Sequence, residues 1–94
     1  MANRLFKRPE RFEASPIDDE LMLIDVDSGR FFALKDVGLR IWTMLDRESD
    51  LDAIAAALCS EYEVEARQAR ESVRQFADSL VEAGFARFAG SANG

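Results

Sequence analysis

The stretch LMLIDVDSGRFFALKDVGLRIWTML, residues 21–45, predicts two paired strands that run directly into an amphipathic helix. Apolar residues lie on both sides of Asp27-Ser28-Gly29, a turn sequence whose glycine can adopt the left-handed conformation that closes a tight hairpin. The strands are predicted over residues 20–26 and 30–34. If Val26 lies opposite Arg30, alternation places one set of apolar side chains on the core face: Met22, Ile24, Val26, Phe32 and Leu34.

After Leu34 the apolar spacing changes to about 3.6 residues, which predicts a helix that begins near Asp36. Its apolar stripe holds Val37, Ile41, Trp42 and Leu45. A second helix is predicted over 50–62, opened by a capping box at Ser49-x-x-Asp52, and a third over 66–83, closed by Gly84. With a short first strand at 12–14, the predicted fold class is α+β: a three-stranded antiparallel sheet followed by three helices, resembling a winged helix-turn-helix.

Length and composition predict one small domain. The chain has 94 residues, of which 48% are hydrophobic, enough for one modest core. We expect a domain over 12–88, a basic flexible arm over 1–11 and a disordered tail over 89–94. No apolar run reaches the roughly 18 to 20 residues that span a bilayer, and the charged first residues do not resemble a secretory signal. These features predict a cytoplasmic protein without a membrane partner.

The charged and reactive residues exclude several functions. Eighteen acidic against twelve basic residues give a formal charge of -6, which argues against a nucleic-acid partner. There is no histidine, no cysteine pair and no glycine-rich phosphate loop, so the usual zinc, nucleotide and histidine-based catalytic motifs are absent. Cys59 is interpreted as a small apolar group. We therefore predict no cofactor, no metal and no enzymatic activity, although catalysis by carboxylates alone stays conceivable.

Two features suggest binding. The arginines Arg67, Arg70 and Arg74 line one flank of the third helix, beside a predicted core stripe of Ala69, Val73, Phe76 and Leu80 and a shallow groove at Ala66 and Ala77. Such a stripe, like the basic residues of the arm, is either a solvated face or a contact for an acidic partner. The second feature is the sheet edge beside residues 30–34, where an extended peptide could add as a further strand.

The sheet face opposite the predicted core also stays apolar. It would hold Leu21, Leu23, Phe31 and Ala33. Leu5 and Phe6 from the arm, a second copy of the chain in a homodimer, or another partner would cover it.

A family pattern is carried by Asp25, Gly29, the aromatic pair Phe31-Phe32, Leu34, Val37-Gly38 and Arg40-Ile41-Trp42. With these residues the chain resembles the PqqD-like family, and the resemblance spans roughly residues 12–88. The chain departs from the family pattern at two places. Lys35 lies where the family commonly has a capping Asn, and Gly84-Phe85-Ala86 lies where the dedicated pyrroloquinoline quinone member ends in Trp-Ile. Asp36 is expected to take over the cap that Lys35 lacks, and the second departure indicates a relative that serves another peptide pathway.

The resemblance implies a RiPP recognition element, an adaptor that binds the leader of a ribosomally made precursor peptide and presents it to a separate maturation enzyme, such as a protease, cyclase or radical enzyme. In this family the leader docks as a strand between the third strand and the third helix. The implied site residues are Arg30, Phe31, Phe32, Ala33 and Leu34 with Arg67, Arg70, Val73, Arg74 and Ala77. The alternatives are a winged-helix DNA-binding transcription regulator, which would need a broader basic face, and a dimerisation module.

Overall fold

The computed structural model describes residues 3–89. In chain order the elements are β1 (Leu5–Lys7), a short 3-10 helix (Pro9–Arg11), β2 (Phe12–Ile17), β3 (Glu20–Asp25), β4 (Phe31–Leu34), α1 (Asp36–Met44), α2 (Leu51–Tyr62), α3 (Ala66–Ala83) and β5 (Ala86–Phe88). Strands β2, β3 and β4 form an antiparallel sheet in that order. The predicted class, a three-stranded antiparallel sheet followed by three helices, is confirmed.

The register of the β3–β4 hairpin differs by one residue from the prediction. Leu23 lies opposite Phe32, and Leu21 lies opposite Leu34. The cause is the connection: the N–H of Gly29 donates to the carbonyl of Asp25 at 2.9 Å, and the N–H of Asp25 donates to the carbonyl of Arg30 at 2.8 Å. Gly29 and Arg30 therefore both lie opposite Asp25, which is the geometry of a β-bulge with glycine in the left-handed region.

This shift corrects the predicted faces. Leu21 and Leu23, expected on the outer face, share the core face with Phe32 and Leu34, whose placement was right. Met22 and Ile24 lie on the outer face instead, and Val26 is in the connection with 49% of its surface exposed. The outer face remains apolar, but its apolar residues are Ile17, Met22, Ile24, Phe31 and Ala33.

The core is built around a chain of edge-to-face aromatic rings. Trp42 of α1 is 5% exposed, and its ring centre lies 5.2 Å from that of Phe12. Phe12 in turn contacts Phe85 at 5.9 Å, and Phe85 contacts Phe32 at 6.1 Å. These rings join α1, β2, the connection between α3 and β5, and β4. The predicted burial of Trp42 is confirmed, and its closest aromatic neighbour is Phe12.

The N-terminal segment differs from the flexible arm that was predicted. Residues 5–7 form β1, which pairs antiparallel with β5, and Leu5 is only 1% exposed. The N–H of Leu5 donates to the carbonyl of Ser49, and Lys7 Nζ lies 2.6 Å from Asp46 Oδ1. Leu5 thus packs in the main core and not on the outer sheet face. Residues 1–2 of the predicted arm and 90–94 of the predicted tail lie outside the described residues.

The helix ends follow the predicted bounds but not every predicted cap. The N-cap of α2 is Asp50, whose carboxylate accepts from the Asp52 N–H at 2.9 Å, while Ser49 Oγ accepts from Arg4 at 2.8 Å. The capping box at Ser49 is therefore not formed. Helix α1 follows Lys35 with no side-chain cap, so Asp36 does not take that role. Helix α3 ends at Gly84 in the left-handed conformation, as predicted.

Candidate peptide-binding site

Strand β4 forms one edge of the three-stranded sheet. The bond from the Asp25 N–H to the Arg30 carbonyl fixes the phase of the ladder. In antiparallel pairs, successive residues direct their backbone groups alternately toward and away from the partner strand. Phe32 and Leu34 therefore bond to β3, whereas the N–H and C=O groups of Phe31 and Ala33 point away from it. The free edge of β4 offers two donors and two acceptors.

Strand β2 forms the opposite edge and is blunted. The Val26 N–H donates to the Arg11 carbonyl at 3.1 Å, so the same alternation directs the backbone groups of Phe12, Ala14 and Pro16 away from β3. Pro16 has no N–H and interrupts this row of donors. Prolines at sheet edges oppose the addition of another strand. The predicted first strand, residues 12–14, was too short, because an edge strand can accommodate proline at an outward position and β2 continues to Ile17.

A cleft of about 470 Å³ lies between β4 and the C-terminal half of α3. From the sheet it is lined by Asp25, Arg30, Phe31 and Phe32, and from the other side by Ser79, Glu82, Ala83 and Phe85. The side chain of Phe31 is 70% exposed, the largest exposure of any bulky apolar residue among residues 3–89. A peptide strand along β4 would direct alternate side chains into this cleft.

Asp25 stabilises the turn from which β4 begins. Its carboxylate accepts from the backbone N–H of Asp27 at 2.8 Å and of Ser28 at 3.4 Å, and Arg11 Nη2 lies 3.8 Å away. The hydrogen bond from Asp27 is the main cause that lowers the pKa of this carboxyl below its ordinary value, with smaller contributions from Ser28 and Arg11. The ionised form therefore favours the hairpin.

The structure separates the predicted helix residues from the strand residues. Arg67, Arg70 and Arg74 line a different cavity, of about 370 Å³, together with Asn3, Leu51 and Asp52. Val73 and Ala77 are each 1% exposed and belong to the core, so the expected groove at Ala77 is not formed. Of the strand residues, Arg30, Phe31 and Phe32 line the β4 cleft, whereas the side chain of Leu34 is 1% exposed and belongs to the core. The three arginines face α2 and β5.

The helix residues lie away from the strand residues because of the orientation of α3 about its own axis. Its buried stripe contains Ala77, while Phe76, expected in that stripe, is only half-buried. The ring of Phe76 lies against Gly38 of α1, where an added Cβ would be 3.2 Å from Phe76 Cε1. This rotation turns Ser79 and Ala83 toward β4. Sequence reasoning missed both residues, although their helical spacing from Phe76 places them on the flank opposite the arginines.

Residues 3–89 contain no cluster of acidic, cysteine or histidine side chains that could hold a metal ion. Among the same residues, no helix is both long and apolar enough to cross a membrane. Cys59 is a free, half-buried thiol.

An open sheet edge beside a helix-lined cleft defines a small α+β domain suited to binding an extended peptide. The family described as coenzyme PQQ synthesis protein D (PqqD) matches residues 20–86. The chain therefore belongs to the PqqD family, as the sequence resemblance predicted.

Two solved structures are similar over most of the chain. The structure of lasso peptide synthetase B1 complexed with the leader peptide is 32% identical, with a TM-score of 0.79, and the match covers 89% of this chain and 98% of that chain. The structure of TbiB1 in complex with the TbiA(beta) leader peptide is 30% identical, with a TM-score of 0.76, and the match covers 89% and 95%. No curated protein of similar sequence was found.

Proposed function

We propose that the chain is a non-catalytic adaptor that binds the leader region of a ribosomally synthesised precursor peptide. The observation that carries this function is the unpaired edge of β4 beside the α3 cleft. Both similar structures are complexes with leader peptides. The chain supplies binding and orientation, and a separate maturation enzyme supplies the chemistry.

In this mechanism the leader adds to the sheet next to β4. The backbone groups of Phe31 and Ala33 exchange water for peptide partners, while Phe31 offers apolar surface on the outer face. A leader side chain opposite Phe32 enters the cleft. The strand half of the predicted site, residues 30–34, is therefore retained, and Ser79, Glu82 and Ala83 take the place of the α3 arginines.

The adaptor acts by raising effective concentration. A leader held on a domain that also contacts the enzyme meets the active site at a local concentration on the order of millimolar for a short flexible tether. A protease, cyclase or radical enzyme would be compatible with this role. We place the encounter in the cytoplasm, where ribosomal precursors are made. Homodimerisation through the outer sheet face stays a prediction.

We do not propose the DNA-binding alternative, and no observation favours it. The arginines beside α3 are confined to one flank of that helix, whereas a DNA-reading surface needs a broader basic face.

Hydrogen exchange of the protein with and without a saturating synthetic leader, from a precursor encoded beside the gene, tests strand addition. We expect alternating protection: the amides of Phe31 and Ala33 slow strongly, whereas those of Phe32 and Leu34 change less because they already bond to β3. The amide of Ala14 on the opposite edge is the internal control. Protection confined to α2 and α3 would mean a helix-in-groove mode and would contradict this site.

A further inference from the structure

The arginines of α3 lie on a surface separate from the leader cleft. Arg70 and Arg74 line the cavity between α3 and the start of α2. The cleft beside β4 is lined by Ser79 and Ala83, from the other flank of the same helix. One helix thus contributes to two surfaces, and the proposed leader site uses only one of them.

Most cations of this surface are not neutralised within the fold. Across residues 3–89, no carboxylate lies within 4.0 Å of the guanidinium nitrogens of Arg70 or Arg74. Arg67 differs, because its Nε is 3.8 Å from Glu71. Asp52 lines the cavity too, but its Oδ2 accepts from Asn3 at 2.8 Å. In a chain of formal charge -6, this is a local concentration of positive charge.

One of these arginines is held over an aromatic ring. The guanidinium of Arg74 lies 5.5 Å from the ring centre of Phe88. Arg87 stacks on Phe6 in the same way, but strand alternation places that pair on the face of the β1–β5 ladder opposite Phe88, outside this surface. A stacked guanidinium is already positioned, so it loses less freedom on binding, and arginine and aromatic residues are enriched in protein interfaces.

We propose that this arginine surface, defined as Arg70 and Arg74 with Phe88, docks an acidic face of the maturation enzyme. The inference rests on the proposed function, since an adaptor must hold leader and enzyme at the same time and the leader occupies the other flank of α3. The acidic remainder of the chain repels an acidic partner. The arginine surface therefore orients the encounter as well as attracting it.

The test uses the purified maturation enzyme encoded beside the precursor gene and the adaptor saturated with leader peptide. Association rates and affinities are measured at low and high salt for the wild type and for Arg70→Glu/Arg74→Glu. We expect the double variant to lose enzyme affinity about tenfold or more at low salt, mainly through slower association. Its leader affinity should stay within about twofold of the wild type, because the leader cleft is intact.

A matched pair of single variants separates the surface from net charge. Arg74→Glu and Arg47→Glu change the charge equally, but Arg47 lies in the connection after α1. Equal effects on enzyme affinity would overturn the inference, as would a double variant that loses leader binding instead. If the wild type binds leader and the double reversal leaves the enzyme affinity unchanged, only the docking surface is overturned. If the wild type binds no leader, the proposed function is overturned too. Duplex DNA that displaces the enzyme from the wild type but does not bind the double variant would reassign the surface to nucleic acid.

Discussion

The two edges of the central sheet differ in their capacity to accept another strand. Both β2 and β4 direct alternate backbone groups away from β3, and each has an alanine at an outward position, Ala14 and Ala33. Pro16 removes one donor from the β2 edge, whereas β4 has no proline and begins with an exposed Phe31. A small sheet that seals one edge and leaves the other open restricts strand addition to one side.

The cleft adds a second difference between the edges. The cleft beside the C-terminal half of α3 is lined by residues of β4 and by none of β2, so a strand added at β4 finds side-chain contacts as well as main-chain hydrogen bonds. Main-chain bonds alone give affinity without selectivity. The comparison therefore predicts where a peptide binds and also why it binds with a preference.

The largest expected effect comes from a proline at each edge. Ala33→Pro removes the outward donor at the centre of β4 and should lower leader affinity by roughly 100-fold or more, because a lost bond and a bent strand act together. Ala14→Pro makes the same change at an outward position of β2 and should leave leader affinity nearly unchanged. Calorimetric titration measures both affinities, and thermal unfolding of both variants shows whether each remains folded. Equal losses of affinity would break the distinction between the edges.

A smaller effect is expected at Phe31. Phe31→Ala should weaken leader binding about tenfold, equivalent to about 1.4 kcal/mol, because the peptide would bury apolar surface that is otherwise exposed. The stability of the free protein should change little, since the ring lies mostly in solvent. Ile17→Ala, an exposed apolar residue on the same face at the β2 edge, is the control. Fluorescence anisotropy of a labelled leader distinguishes the two, and a greater loss in the Ile17 variant would contradict the site.

The smallest effect concerns the turn before β4. The folded state lowers the pKa of Asp25, so its ionised carboxylate contributes stability above its ordinary pKa of 3.8, and this contribution is lost as the pH falls through the folded-state value. Asp25→Asn should therefore lower the free energy of unfolding at neutral pH, with the difference from wild type shrinking in acid. Asp27→Asn, whose carboxylate accepts no backbone hydrogen bond among residues 3–89, should show little of this dependence. Urea unfolding across pH measures both, and a constant difference for Asp25→Asn would refute the assignment.

The order and type of the main elements could be predicted because long periodic segments and the turn at Gly29 are local signals. Which face of β3 packs on the core could not be predicted. A connection one residue longer still places Gly29 in the left-handed region, yet it moves Leu21 and Leu23 to the core. Because strand side chains alternate, a shift of one residue exchanges the two faces.

The strand half of the candidate site was predictable for the same local reasons, but the helix half depended on tertiary packing. The apolar spacing of α3 allows either Phe76 or Ala77 at the centre of its stripe. The choice follows from Gly38 on another helix, against which Phe76 packs. Strands β1 and β5 have three residues each and pair across the length of the chain, so neither has a periodicity that a sequence pattern can detect.

The pairing of β1 with β5 also brings the two ends of the described chain together. The N–H of Ala89 donates to the carbonyl of Arg4 at 2.9 Å, so residues 4 and 89 are direct neighbours. A domain fused at either end would emerge from nearly the same point, and neither strand belongs to the sheet that contains β4. Linker length, rather than the choice of terminus, would then determine how far an attached enzyme reaches. The same closeness makes the fold suited to circular permutation, with new ends in an exposed connection.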